Sequence, residues 1–397
     1  MLSDLIAALP PSPIIDIFNK AFALRSQGAD LIDFSVGEPD FDTPAHICEA
    51  AISAIQRGDT RYTPATGSGT MKAAVAEKFL RDNGLQFEHS EIAVCSGAKP
   101  LLASVIQVIL NPGDEAILPT PLWAPHMGMV RAVGGRPVLV DTSTTRFKLT
   151  AEALDAAITP RTKLLVICSP SNPVGAVYTS EELLLLADVL RRHPQVLVIS
   201  DDLYEHIVFD GNQFATLAAV APELRDRIMT LNGVSKDYAM TGWRIGFAGG
   251  PKWWIGGLQS LFNQTSGGPS SISQVAAVAA LTGPQDFLRE WAAIYQRRRD
   301  IALAGLAMIE GLRTEIPGGA FYLYPNCGAL LGRSRTDGRV VASSTDLAEH
   351  FLDHGVAVVP GTGFCCDPYF RVSVATSDDN IIEGMNRLKL AVEALRE

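Results

Sequence analysis

The sequence predicts an α/β protein: a mostly parallel sheet with helices on both faces, joined to a smaller α+β domain. Three observations carry this. From residue 91 short apolar runs recur, each bounded by Gly, Pro, Ser or Asp, as strands buried on both faces of a parallel sheet are. Helical patterns lie between the runs and supply the crossovers that parallel strands require. The 397 residues, 47% hydrophobic and 19% charged, suffice for a large core and argue against disorder.

The elements follow in order. Pro10-Pro11-Ser12-Pro13 opens a helical pattern that runs through Ala29, and Leu31 to Ser35 reads as a short strand leading into the turn Gly37-Glu38-Pro39-Asp40. Helical patterns at Ala45–Arg57 and Thr70–Asn83 flank Arg61-Tyr62-Thr63-Pro64-Ala65-Thr66-Gly67. Gly67-Ser68-Gly69-Thr70 lacks both the spacing of a phosphate-binding P-loop and a preceding strand. The predicted strands of the sheet are Ile92–Cys95, Glu115–Leu118, Pro137–Val140, Leu164–Cys168, Val196–Ser200, Ile228–Leu231 and Ile245–Ala248. A long helical region from Gln285 to Gly311 carries Arg297-Arg298-Arg299, read as a solvated basic face. Phe321–Tyr324, a helix at Thr345–His354, Val356–Val359, Phe370–Val374 and a last helix from Asp379 make the smaller domain. This gives an N-terminal segment (1–44) packing with the small domain, a large ligand-binding domain (45–285) and a small C-terminal domain (286–397).

Composition excludes several function classes. A net charge of −10 argues against a nucleic-acid-binding face. No apolar run reaches membrane-spanning length, and Met1-Leu2-Ser3-Asp4-Leu5-Ile6 lacks the positive region of a signal peptide. The six cysteines form no CxxC pair and no metal spacing, and adjacent Cys365 and Cys366 do not easily bridge each other. Reduced thiols in a cytoplasmic enzyme follow. His350 and His354 are spaced for one helix face, but no third metal ligand is evident. No metal site is therefore expected.

The most informative stretch is Ser235-Lys236-Asp237-Tyr238-Ala239-Met240-Thr241-Gly242-Trp243-Arg244-Ile245-Gly246, just past a buried strand. Lysine is a nucleophile only when neutral, so burial or a nearby cation must lower its pKa. Arg244 is a candidate cation, and its planar fork suits a phosphate. Gly242 and Gly246 permit tight turns and close backbone approach. A buried lysine beside a phosphate-binding arginine is what pyridoxal phosphate needs, because that cofactor is held as a Schiff base. Ligands of parallel sheets gather at the carboxyl ends of the strands. Ser96-Gly97-Ala98-Lys99-Pro100 lies at one such end and opens an apolar helix, with Pro100 suited to the first helical position. Free N–H groups there make an anion site.

Ser-Lys-x-x-x-x-x-Gly-x-Arg-x-Gly resembles the lysine signature of the class I aminotransferases, the fold-type-I pyridoxal phosphate enzymes. The similarity runs from Gly37-Glu38-Pro39-Asp40-Phe41 to Arg371, with several motifs in the family's order. The resemblance implies that Lys236 carries pyridoxal 5′-phosphate and transfers protons during catalysis, with Ser235 alongside it at the cofactor. It implies that Gly97, Ala98 and Arg244 bind the phosphate, and that Tyr62 reaches the phosphate of a neighbouring subunit in a homodimer. Trp123 would stack on the cofactor ring. Asp201, rather than Asp202, would keep the ring nitrogen protonated, and Tyr204 and Asn172 would bond the ring oxygen. Arg371 would grip the substrate α-carboxylate, with the backbone N–H of Gly37 on the same group. Lys99 would meet the distal carboxylate of an acidic substrate.

The implied reaction moves an amino group between an amino acid, aspartate or glutamate favoured, and a 2-oxo acid, with ping-pong kinetics. Aromatic or neutral amino acids and prephenate remain alternative substrates. A second reading keeps the cofactor and changes the chemistry to elimination, decarboxylation or oxidation, since one fold hosts several reactions. A third, a cofactor-sensing binding protein, finds no basic DNA-binding module ahead of the aminotransferase-like region. Two departures bear on specificity. Leu122 and His126 stand where the family often has tyrosines around the tryptophan, and Ile14 stands where acidic-substrate relatives can carry threonine.

Overall fold

The structure, a computed structural model, describes residues 13–396. The first turn-rich residues and the N-terminal hexapeptide lie outside that range, as does the side chain of Ile14. The strands, in chain order, are β1 (Ile32–Asp33), β2 (Ile92–Cys95), β3 (Glu115–Thr120), β4 (Arg136–Asp141), β5 (Thr162–Cys168), β6 (Leu197–Asp201), β7 (Ile228–Gly233), β8 (Gly246–Gly249), β9 (Tyr322–Leu323), β10 (Val356–Ala357), β11 (Val359–Pro360) and β12 (Phe370–Ser373). Seven of them form the main sheet, ordered β2-β8-β7-β6-β5-β3-β4. All its neighbours run parallel except β8, which is antiparallel to both β2 and β7.

Burial explains this sheet. β2, β6, β7 and β8 have every residue buried, so helices must cover both faces. One face packs with Val75 and Phe79 of the helix Gly69–Asn83 and Ala276 and Ala280 of the helix Ser271–Thr282. The other packs with Leu101 and Val105 of the helix Ala98–Ile109 and Leu258 of the helix Lys252–Gln264. Ser68 caps the first of these helices by accepting from the N–H of Met71, and Gly84 ends it with a left-handed φ of 67°. Gly67-Ser68-Gly69-Thr70 is therefore a helix start.

The remaining strands make two smaller sheets, β11-β12-β9 and a parallel pair of β1 with β10. Ile32 pairs with Val356, so the strand near the N-terminus joins the C-terminal part of the chain. Both sheets share one core with the helices Asp286–Ala307 and Asp378–Glu393.

Two expectations are corrected here. Arg297-Arg298-Arg299 is not a solvated face. Arg298 is buried and bonds both carboxylate oxygens of Asp40, at 2.8 and 2.9 Å, while Arg299 is buried against Asp210 and Asp300. Arg298 thus fixes the turn that follows Gly37. Pro100 is the third residue of its helix, not the first, which begins at Ala98 after Gly97. A proline is still tolerated there because N–H groups of the first turn have no helical partner.

Candidate active site

The carboxyl ends of β2, β3, β5, β6 and β7 and the amino end of β8 share one edge of the main sheet. A cavity of about 500 Å³ opens there. Its wall includes Gly37, Ala98, Lys99, Trp123, Asn172, Asp201, Tyr204, Ser235, Lys236, Arg244 and Arg371. Gly97 adjoins Ala98 beneath Arg244. Tyr62 is the one expected site residue the chain does not bring there; it is fully exposed.

Lys236 sits on the closed loop between β7 and β8, whose base is the pairing of Gly233 with Gly246. Its Nζ donates to the carbonyl oxygen of Gly37 at 2.5 Å. Burial lowers its pKa to about 8, and the charges of Arg371 and then Arg244 add to the shift. Burial therefore outweighs the cation, and Arg371 rather than Arg244 is the larger of the two charges. A substantial neutral fraction is present near pH 8.

Arg244 closes the same loop and has a left-handed φ of 58°. Its Nη1 donates to the carbonyl of Thr241 at 3.0 Å. Gly97 is required beneath it. The glycine has a φ of 106°, and a Cβ there would lie 2.8 Å from Cζ of Arg244. Gly246 is required for a similar reason: a Cβ would lie 2.6 Å from Cα of Ala98. Gly242 has open space around its Cβ position and no positive φ, so nothing in the backbone demands it. Ser235 completes this corner; its buried Oγ has no hydrogen-bond partner.

Asp201 is the last residue of β6 and is buried. Its Oδ1 has no partner, and its Oδ2 lies 3.6 Å from Nε2 of His126. Asp202 points away and accepts from Oγ of Ser200 at 2.7 Å. His126 is buried, edge-on to Trp123 with centroids 5.4 Å apart. It is thus a neighbour of Asp201, a place its sequence position did not reveal. Tyr204 shares a hydrogen bond of 3.1 Å with Tyr322, and burial pushes its pKa up, so its hydroxyl stays protonated. Tyr322 was also missed; its strand is legible, but a tyrosine on a strand carries no functional signal.

Arg371 lies on β12 and is buried. It donates to Oδ1 of Asn172 at 3.0 Å and to the carbonyl of Ser35 at 2.7 Å. The Tyr322 ring lies 4.4 Å from its guanidinium carbon. Its Nε has no partner. A Cβ on Gly37 would lie 3.1 Å from the Tyr322 hydroxyl and 3.7 Å from Nη2 of Arg371, so the glycine leaves room beside the guanidinium. Lys99 holds its ammonium 5.0 Å from the centre of the Trp123 ring, and no carboxylate among the described residues pairs with it. Desolvation, then the charge of Arg244, lowers its pKa.

His350 and His354 belong to no group of three close metal-ligating side chains among the described residues. Nε2 of His350 is engaged with the carbonyl of Ala391 at 2.7 Å and Nδ1 of His354 with that of His350 at 2.9 Å. The six cysteines are free. Among the described residues no helix is long and apolar enough to cross a membrane.

Comparison with known proteins agrees with this geometry. A family model described as "Aminotransferase class I and II" matches residues 29–388. An aspartate aminotransferase of Rhizobium meliloti is 46% identical over 98% of this chain and 96% of its own length. A probable aspartate/prephenate aminotransferase of Rickettsia bellii is 44% identical over the whole of both chains. The crystal structure of the Rhizobium meliloti aspartate aminotransferase superposes with a TM-score of 0.96 over 100% of this chain and 99% of that one. The Thermus thermophilus aspartate aminotransferase with maleate, 40% identical, gives 0.91 over 98% and 99%. With lysine, arginines and aspartate gathered at one sheet edge and these matches spanning the chain, the protein belongs to the class I and II aminotransferases.

Proposed function

We propose that this aminotransferase uses pyridoxal 5′-phosphate and favours acidic donors, aspartate or glutamate, with a 2-oxo acid as acceptor. The observation that carries the cofactor reading is two buried side-chain oxygens without partners, Asp201 Oδ1 and Ser235 Oγ, beside the helix start after Gly97 and the exposed Arg244 guanidinium. Asp201 Oδ1 suits a ring N–H, and Ser235 Oγ, the N–H groups after Gly97 and the Arg244 guanidinium suit a phosphate. The residues therefore fit the cofactor.

When bound, pyridoxal phosphate supplies an electron sink for the substrate α-carbon. The chain's own groups do the rest. Arg371 orients the substrate by its α-carboxylate, with the Gly37 backbone beside it. Asp201, with His126 3.6 Å away, would hold a proton at the ring nitrogen. Tyr204 and the amide nitrogen of Asn172 would donate to the ring oxygen. Trp123 would lie against the ring. Lys236 Nζ, neutral in part because it is desolvated, would take the substrate α-proton as base and give a proton back as acid. One amino acid enters and its 2-oxo acid leaves before the second 2-oxo acid binds, which gives ping-pong kinetics.

Lys99 supports the acidic preference. It is a cation on the cavity wall, next to Trp123, without a carboxylate of the protein's own. The relative solved with maleate, a dicarboxylate, supports the same reading. Prephenate, which also carries two carboxylates, is the second substrate suggested by the names of relatives.

The reading extends to a homodimer of a cytoplasmic protein, with residues 1–44 packing on a small domain (286–397) beside a cofactor domain (45–285). Fully exposed Tyr62 is available to a partner's phosphate site, and a two-fold arrangement would use the same patch twice. Mixing Tyr62→Phe with Lys236→Ala protein tests this. Hybrid dimers contain one site free of both changes and should regain activity; absence of recovery on subunit exchange refutes the shared site.

Borohydride reduction of the cofactor-loaded protein tests the central claim. The pyridoxyl group should appear on the peptide containing Lys236, and labelling at Lys99 or Lys252 instead overturns it. A panel of donors against 2-oxoglutarate and oxaloacetate then ranks the substrates.

A further inference from the structure

Five ionisable side chains that do not line the cavity pack together beside the loops of Tyr204 and Lys236. They are Lys78 and Asp82 from the helix Gly69–Asn83, Glu205 and His206 after β6, and Asp237 after β7. Lys78, 1% exposed, pairs with Oε1 of Glu205 and lies 3.8 Å from Asp82. His206 Nε2 lies 3.2 Å from Glu205 and 3.5 Å from Asp82. Asn83 links the cluster, accepting from Lys78 and donating to Glu205 at 2.7 Å each.

Asp82, Glu205 and His206 have the closeness of metal ligands, but the place of a cation is taken. The Lys78 ammonium occupies Glu205. Burial alone would lower the His206 pKa, yet Glu205 and Asp82 overcome it and raise it to about 10, so the imidazole is itself a cation. Lys78 and His206 thus face Glu205 and Asp82, Arg81 also bonds both oxygens of Asp82 at 2.6 and 2.9 Å, and none of these ion pairs uses Asp237.

That leaves Asp237 to be explained. It is buried, its Oδ1 has no partner, and burial pushes its pKa up to about 7. A buried acid without an ion pair costs stability. Among the described residues its single hydrogen bond is from the backbone N–H of His206 to Oδ2, at 3.4 Å. This bond joins the loop after β6 to the loop after β7. Asp237 is the neighbour of Lys236, and His206 stands two residues from Tyr204. The ring of His206 also meets that of Tyr238 edge-on, at 6.4 Å.

We propose that Asp237 and His206 tie the loop of Lys236 to the loop of Tyr204, making Asp237 a positioning residue for both. The bond fixes the spacing of two catalytic groups that sit on loops after separate strands, and the ion pairs around His206 hold its backbone in place. Geometry at this scale matters, because small misplacements of reacting groups are costly.

The proposal rests on Lys236 being the cofactor lysine, so the test keeps the two apart. In cofactor-free protein the Lys236 amine is titrated by trace acetylation across pH, mapped by peptide mass spectrometry; this requires no cofactor. In Asp237→Ala the Lys236 midpoint should rise by about half a unit or more towards an ordinary lysine. The loaded Asp237→Ala enzyme should lose about tenfold in kcat with KM for the donor little changed. Asp237→Asn keeps an oxygen acceptor for the His206 N–H and should restore both values. An unshifted midpoint in Asp237→Ala, or equal loss in the Ala and Asn variants, overturns the proposal. Should Asp237→Ala not fold, Asp237→Ser carries the same expectations and the same overturning result. Failure of borohydride to label Lys236 would overturn the cofactor reading separately.

Discussion

The guanidinium of Arg371 donates to the side-chain oxygen of Asn172 at 3.0 Å, joining the proposed substrate arginine to a proposed cofactor ligand. With a second bond to Ser35 and the Tyr322 ring beneath it, the fork is oriented before any substrate arrives. A lysine cannot reproduce two fixed donors. Arg371→Lys should lower kcat/KM about 100-fold, a loss of about 3 kcal/mol. Aspartate and alanine should suffer alike, because both carry an α-carboxylate. Steady-state kinetics with the two donors check this; a loss confined to aspartate would move Arg371 to the distal group.

Gly97→Ala should weaken cofactor binding. The new methyl group would be strained at a φ of 106° and would crowd Cζ of Arg244 at 2.8 Å. Such strain costs about 1–3 kcal/mol, so the dissociation constant for pyridoxal phosphate should rise about tenfold or more. Titration of the cofactor-free protein by absorbance reads it directly. Gly242→Ala, which meets nothing within 4 Å, is the matched control and should bind normally.

Lys99→Ala separates substrate from cofactor roles. Removing one partner of a desolvated charge contact costs about 2–5 kcal/mol. Aspartate should therefore lose about 30-fold or more in kcat/KM, and phenylalanine or alanine much less. Equal losses would place Lys99 on the cofactor and remove the support for acidic specificity.

The depressed pKa of Lys236 predicts a pH-dependent stability of the cofactor-free protein. Between its native value of about 8 and the ordinary 10.5, the unfolded chain holds a proton that the native chain has released. Stability therefore rises with pH across that window. Below pH 8 both states are charged, and desolvation together with the charges of Arg371 and Arg244 disfavours the native ammonium by about 3 kcal/mol. Lys236→Met should be more stable than the parent by about that amount at pH 7. The gap should narrow above pH 8 and close near 10.5. Denaturant melts at pH 7, 9 and 10.5 measure it, and a gap independent of pH would refute the shift.

The strands of the main sheet are legible because total burial writes an apolar run into each, and loop chemistry marks their ends. β2 is found at its own bounds, and β3 to β8 begin or end within two residues of expectation. Direction is another matter: nothing in Gly246–Gly249 says that β8 runs opposite to its neighbours. Motif-bearing site residues are legible because their spacing along the chain is short. What escapes is long-range pairing. Arg298 and Asp40 are 258 residues apart, so a run of three arginines reads as a wet surface until the fold supplies its acids. His126 escapes likewise: it sits on the helix Pro125–Ala132, and its neighbour Asp201 ends β6. The lowering of the Lys236 pKa was expected from burial or Arg244, while the greater charge effect of Arg371 depends on β12 being folded against the loop.

The backward run of β8 has a consequence for how this protein can vary. It brings Arg244 back beside Lys236 within one short loop, so the two proposed cofactor anchors move, and mutate, as a unit. Arg371 belongs to a different sheet, β11-β12-β9. Substitutions in that sheet reach the site through Arg371, which is proposed to take the α-carboxylate common to every donor and is tied to Asn172. A search for altered substrates in this scaffold should therefore begin at Lys99, outside that loop, and leave residues 233–246 alone.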